Sequence, residues 1–104
     1  MEYRKTRLAS GLEVGLRPRT WAEWESAEDA RLTALEDVEK LTAEGKTIQA
    51  ENLVQRAYKD TRELALTAWV ENFATLRDTL TMRNIAEIER RCRALEAEEV
   101  AEKN

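Results

Sequence analysis

Apolar positions along this chain follow two periods. Over residues 3–18 they alternate, and from residue 21 onward they recur every three or four residues. Leu12, Val14 and Leu16 alternate with Glu13, Gly15 and Arg17, the period of a half-buried strand. Upstream, Thr6 and Leu8 share one face, with Tyr3, Lys5 and Arg7 on the other. Two short strands, Tyr3 to Leu8 and Leu12 to Leu16, are predicted to form a hairpin around a two-residue Ser10-Gly11 loop, with Gly supplying positive φ. Arg17-Pro18-Arg19 ends the second strand, because proline cannot donate to a ladder.

Thr20-Trp21-Ala22-Glu23 then has the form of a capping box. It predicts a first helix from Trp21 to about Ala43, stopped by Gly45. The apolar stripe of this helix is Trp21, Trp24, Ala27, Leu32 (or the stem of Arg31), Leu35, Val38 and Leu41. The short Gly45-Lys46 turn makes the next helix run back antiparallel. From Thr47 to Leu80 there is neither Gly nor Pro, and Leu64 to Leu76 is apolar on most sides. One helix of about 30 residues, roughly 45 Å long, is predicted there, its apolar segment covered by other elements or by a partner. Asn84 and Glu87 form a second capping-box pattern. The helix after it carries Ile85, Ile88, Cys92 and Leu95 as a short seam and ends in a Glu-rich stretch. The expected fold is mostly α: an N-terminal β-hairpin followed by three helices in an elongated antiparallel helical hairpin or bundle. Residues 1–104 read as a single domain, with a hairpin arm (1–19) and a helical body (20–104).

Charge changes the picture only at the N-terminus. The net charge of the chain is -4, yet residues 1–19 hold Arg4, Lys5, Arg7, Arg17 and Arg19 against Glu2 and Glu13, a local balance of +3. The remaining 12 basic and 19 acidic residues sum to -7. An acidic body without a basic helical stripe argues against nucleic acid as the main ligand. No apolar run approaches the roughly 20 residues that span a bilayer, and the charged N-terminus is no secretory signal. The expectation is a soluble protein made in the cytoplasm.

Catalytic chemistry is not expected. The chain has no histidine, which removes the usual general base, metal ligand and nucleophile partner. Cys92 is flanked by Arg91 and Arg93, a setting that could activate a thiolate. Its place on the seam reads instead as a small core residue. The carboxylates stand at helical ion-pair spacings rather than as a separated acid–base pair. No phosphate-loop pattern surrounds Gly11 or Gly15. No catalytic, metal or cofactor site follows, and the chain reads as a non-enzyme without cofactors.

Partner contact is the remaining reading. Two isolated strands are marginal in water, so the hairpin either leans on the helices or extends a sheet in something else. Trp and Arg are enriched at interface hot spots. Arg7, Leu12, Val14, Arg17, Arg19, Trp21 and Trp24 are therefore the candidate partner-binding residues, although Trp21 and Trp24 could equally close a core.

The run Leu8-Ala9-Ser10-Gly11-Leu12-Glu13-Val14-Gly15-Leu16-Arg17-Pro18-Arg19-Thr20, followed by Glu23, resembles the opening of tailed-phage tail-morphogenesis proteins. These are the tail assembly chaperones and the small baseplate proteins of the T-even type. Ser10, Gly11, Val14, Leu16, Arg17, Pro18 and Thr20 carry the likeness: strand, Ser-Gly, strand, Leu-Arg-Pro and a Thr-capped helix. The resemblance implies a non-enzymatic part in building a phage tail. A chaperone would bind the helical tape-measure protein in the host cytoplasm and yield to tail-tube subunits. A baseplate member would stay in the virion and dock its hairpin on neighbouring subunits. A homo-oligomer is compatible with both. The alternative from the residues alone is a cytosolic helical regulatory module, dimeric or not, whose basic hairpin binds nucleic acid.

Overall fold

The computed structural model describes residues 2–103. Its elements in chain order are β1 (Arg4–Arg7), β2 (Glu13–Leu16), α1 (Trp21–Ala43), α2 (Thr47–Trp69), the one-turn α3 (Phe73–Leu76) and α4 (Met82–Lys103). The fold is mostly helical with an N-terminal antiparallel hairpin, as the two periods predict. The chain divides into two compact units, one of Met1–Thr20 with Leu66–Asn104 and the other of Trp21–Ala65. The hairpin shares its unit with α4, and the helical hairpin is inserted between the two parts of that unit.

In the first unit β1 and β2 pair with Arg4 opposite Leu16 and Arg7 opposite Glu13. Their loop has three residues, not the two predicted. Leu8 N donates to Leu12 O at 2.8 Å, and Gly11 N donates to Leu8 O at 2.8 Å. Gly11 has φ +94°. A four-residue turn from Leu8 to Gly11, followed by a left-handed glycine, is the bulged form of hairpin loop. The alternation places Leu8, Val14 and Leu16 in the core. Gly15 points to the other face, where a Cβ would stand 3.1 Å from the Cβ atoms of both Glu71 and Tyr3. A side chain there would have to push the chain apart.

α2 stops at Trp69, well short of Leu80, because its next residues leave the helix to join the sheet. Val70 N still donates to Leu66 O, closing the last turn. Arg17 N then donates to Trp69 O at 3.0 Å, and Glu71 N donates to Gly15 O at 2.9 Å. Leu16 and Val70 thus form an antiparallel bridge on the edge of β2 away from β1. Asn72 follows in the left-handed region at φ 55°, a conformation asparagine tolerates better than most residues, and starts α3. The apolar run splits accordingly: Ala65, Leu66, Ala68, Trp69, Val70 and Phe73 are buried, whereas Leu64 is exposed.

The cap of the last helix also differs from the one predicted. Thr81 is the capping residue: its Oγ1 accepts from Asn84 N, and Asn84 Oδ1 accepts from Thr81 N. Asn84 thereby plays the reciprocal role three residues into the box rather than the capping role. Its Nδ2 donates to Ser10 Oγ, which explains its burial. Glu87, released from capping, accepts from Ala9 N at 2.9 Å through Oε1 and from Arg91 Nε through Oε2. The hairpin loop is therefore tied to the first turns of α4 by side chains on both partners. Ile88 and Cys92 are fully buried within this chain, as their seam positions predict.

In the second unit α1 ends as Gly45 predicts. Gly45 N donates to Thr42 O, Lys46 N donates to Leu41 O, and Gly45 has φ +76°. These are the paired bonds of a Schellman turn, and they reverse the chain into α2.

Candidate functional site

The predicted broad stripe of α1 separates into two lines. At 100° per residue, Ala27, Ala34, Val38 and Leu41 fall on one line, and they are buried or half-buried. Trp21, Trp24, Leu32 and Leu35 fall within an adjacent arc of about 80°, and all four are exposed, Trp21 by 70%. On α2 the exposed large apolar side chains are Ile48, Val54, Tyr58 and Leu64. The buried side chains of this unit are all alanines: Ala27, Ala50 and Ala65. Alanine burial removes little apolar area from water, while each large side chain left outside forgoes about 1.5–3 kcal/mol. The surface is therefore one that gains by being covered.

Trp21 and Trp24 are organised on this surface. Their ring centroids lie 4.8 Å apart at 34°, and Trp21 Nε1 donates to Glu25 Oε2 at 3.0 Å. Around them α1 is strongly acidic: Glu23, Glu25, Glu28, Asp29, Glu36, Asp37 and Glu39 stand against Arg31 and Lys40, a net -5.

The other candidate residues have different fates. Arg7 is exposed on β1 and Leu12 is half-buried in the loop. Val14 is buried in the core and presents nothing to a partner. The Arg17 guanidinium lies 5.2 Å from the Tyr3 ring centroid and donates to Pro18 O. Arg19, read as a surface cation, is instead held in the first unit with its side chain 8% exposed. Its Nε donates to Glu96 Oε2 at 2.8 Å, its Nη2 to Oε1 at 2.9 Å and its backbone N to Oε2 at 2.9 Å. Trp69 Nε1 donates to the same Oε2 at 2.8 Å, and the Arg19 guanidinium sits 4.6 Å from the Trp69 ring centroid. Burial would raise the Glu96 pKa, but the hydrogen bonds from Arg19 and Trp69 outweigh it and hold the carboxyl below its ordinary value. Four hydrogen bonds converge on this one carboxylate, three of them on Oε2, and the cluster acts as a structural clamp.

Cys92 behaves as core. Burial, reinforced by the Glu96 carboxylate, pushes its thiol up to about 12 against the opposing Arg19 charge. A thiol reagent at pH 8 should therefore leave Cys92 unmodified in the folded protein and react with it fully in denaturant, read by mass spectrometry. Rapid modification of the native protein would show the α4 seam to be open.

Among the described residues no group of three or more His, Cys, Asp or Glu is placed to hold a metal ion, and no helix is long and apolar enough to cross a membrane. An open groove of about 230 Å³ lies in the first unit between Glu2, Arg4, Leu16, Pro18, Leu95, Glu98 and Glu99. It falls below the roughly 300 Å³ at which ligand pockets begin, and its lining mixes both charges. Searches against protein-family models, curated proteins and solved structures each return no match for this chain.

Proposed function

We propose that this protein is a non-enzymatic assembly factor that binds an apolar helix of another protein on the exposed surface of α1 and α2. The observation that carries this reading is the outward arc of Trp21, Trp24, Leu32 and Leu35, beside a seam whose buried members are alanines. The net -5 of α1 favours a partner helix that carries lysine or arginine beside its apolar positions. The N-terminal resemblance supplies a setting in phage tail morphogenesis. There a long helical tape-measure protein would suit such a surface in the host cytoplasm, and a baseplate position would suit it in the virion.

Nucleic-acid binding by the hairpin is the weaker reading. Of the five cations proposed for it, Arg19 is committed to Glu96 and Arg17 to Tyr3 and Pro18.

The test uses a synthetic helix of leucine and alanine with flanking lysines, followed by tryptophan fluorescence. It should bind the native protein, and its glutamate-flanked counterpart should not. Trp21→Ser combined with Leu35→Gln should weaken binding at least tenfold, in the way hot-spot residues do. The same pair should change thermal stability little, because both side chains are exposed. Unchanged affinity in that variant would exclude this surface as the docking site.

A further inference from the structure

We propose a second docking site: the outer edge of β1 takes up an extended acidic segment of another protein as a third strand. This site lies in the other unit and does not depend on the helix-binding surface.

The backbone parity of the hairpin fixes which groups are offered. Leu8 N donates to Leu12 O, so residues 8 and 12 form a hydrogen-bonded pair. Along the register, Thr6 with Val14 and Arg4 with Leu16 are then also hydrogen-bonded pairs, while Arg7 with Glu13 and Lys5 with Gly15 are not. A residue of the second kind turns its N–H and C=O away from the partner strand. Gly15 shows this directly, because its C=O is taken by Glu71 N on the far side of β2. On β1 the same parity turns the N–H and C=O of Lys5 and Arg7 outward, and no described residue takes them. The bridge at Val70 has closed the other side of β2, so β1 carries the remaining open edge of the sheet.

Charge selects the occupant. Arg4, Lys5 and Arg7 are all exposed on this four-residue strand. Positive edges repel one another, which is how sheets resist pairing with their own copies. A second β1 laid antiparallel on the first would set Lys5 and Arg7 against the same cations. A strand with glutamate or aspartate at alternate positions instead gains a favourable pair at each.

The experiment titrates the full chain, labelled with 15N, with an eight-residue peptide alternating valine or threonine with glutamate. The acidic peptide should slow amide exchange of Lys5 and Arg7 at least tenfold, and the lysine-for-glutamate peptide should leave it unchanged. N-methylating the peptide amides that face β1 should abolish binding, a test that needs no protein variant. Lys5→Pro removes an outward N–H and no intrachain hydrogen bond, so it too should weaken binding about tenfold while the hairpin persists. Equal binding of the basic peptide, or no added protection at Lys5 and Arg7, would overturn the proposal. So would a doubled molar mass with that protection in the absence of peptide, since a second copy would then hold the edge. Shifts confined to Trp21–Ala65 would likewise place the peptide on the helical surface instead.

Discussion

Trp69→Ala should destabilise the first unit by about 3–5 kcal/mol, the range of large-to-small aromatic truncations in a packed core. Trp69 has no exposed surface, so the whole ring volume becomes a cavity. The truncation also removes the donor to Glu96 and the ring that faces Arg19 and Arg93, whose guanidinium carbons lie 4.6 and 5.2 Å from its centroid. Trp69→Phe separates these contributions: it keeps most of the apolar volume and loses the N–H, at about 1–2 kcal/mol. Urea unfolding gives the totals, and amide exchange assigns them to a unit. The loss should fall on β1, β2 and α4. A cost for the alanine variant under about 1 kcal/mol would mean that Trp69 is not the keystone of that core.

Removing Glu96 should destabilise the same unit by another route. Arg19 would keep its charge with its side chain 8% exposed and its one carboxylate partner gone. Leaving a largely buried charge uncompensated costs several kcal/mol when burial is complete, and about 2–3 kcal/mol is expected for Glu96→Ala at this partly buried site. Arg19→Met combined with Glu96→Leu should be milder than Glu96→Ala alone, since no unpaired charge remains. The pair also fixes a pH response. Glu96 is held below its ordinary 4.5 in the folded chain, so the folded protein favours the ionised form. That stabilisation is complete above the unfolded value and is lost as pH falls through the lower folded value. Glu87, held down chiefly by the Ala9 N–H, titrates in the same sense. Stability should therefore decline below about pH 4.5, and Glu96→Gln should flatten part of that decline. An identical acid limb in the glutamine variant would refute the assignment.

Much of the fold was legible because local signals agreed. The alternation around Val14 and Leu16, Gly45 after the first helix and the Ile88–Cys92 seam each pointed to the element that forms. The two largest failures, the end of α2 and the place of Arg19, share one cause. α2 ends at Trp69 because Val70 bonds to β2, a partner more than fifty residues upstream that no helical propensity registers. Arg19 looked like a surface cation because Glu96 is remote in sequence, whereas Asn84 is not the cap it looked like because Thr81, three residues earlier, takes that role. The docking arc was half legible: the residues of the α1 stripe were identified, but not that alanines occupy the seam while Trp21, Trp24, Leu32 and Leu35 turn outward.

The bond from Ala9 to Glu87 spans 78 positions, and those from Arg19 to Glu96 span 77. A unit closed by such distant contacts must meet the entropy of a long loop before it gains any of them, which makes its formation slow. On the ribosome, the β1–β2 hairpin emerges before the rest of its unit, and its contacts with Val70 and with α4 must wait until residues 21–65 have been made. The helices of residues 21–65 need only a three-residue turn to meet. They are complete, with their apolar arc displayed, while the hairpin is still waiting. Whatever covers that arc can therefore act on the nascent chain before the first unit exists.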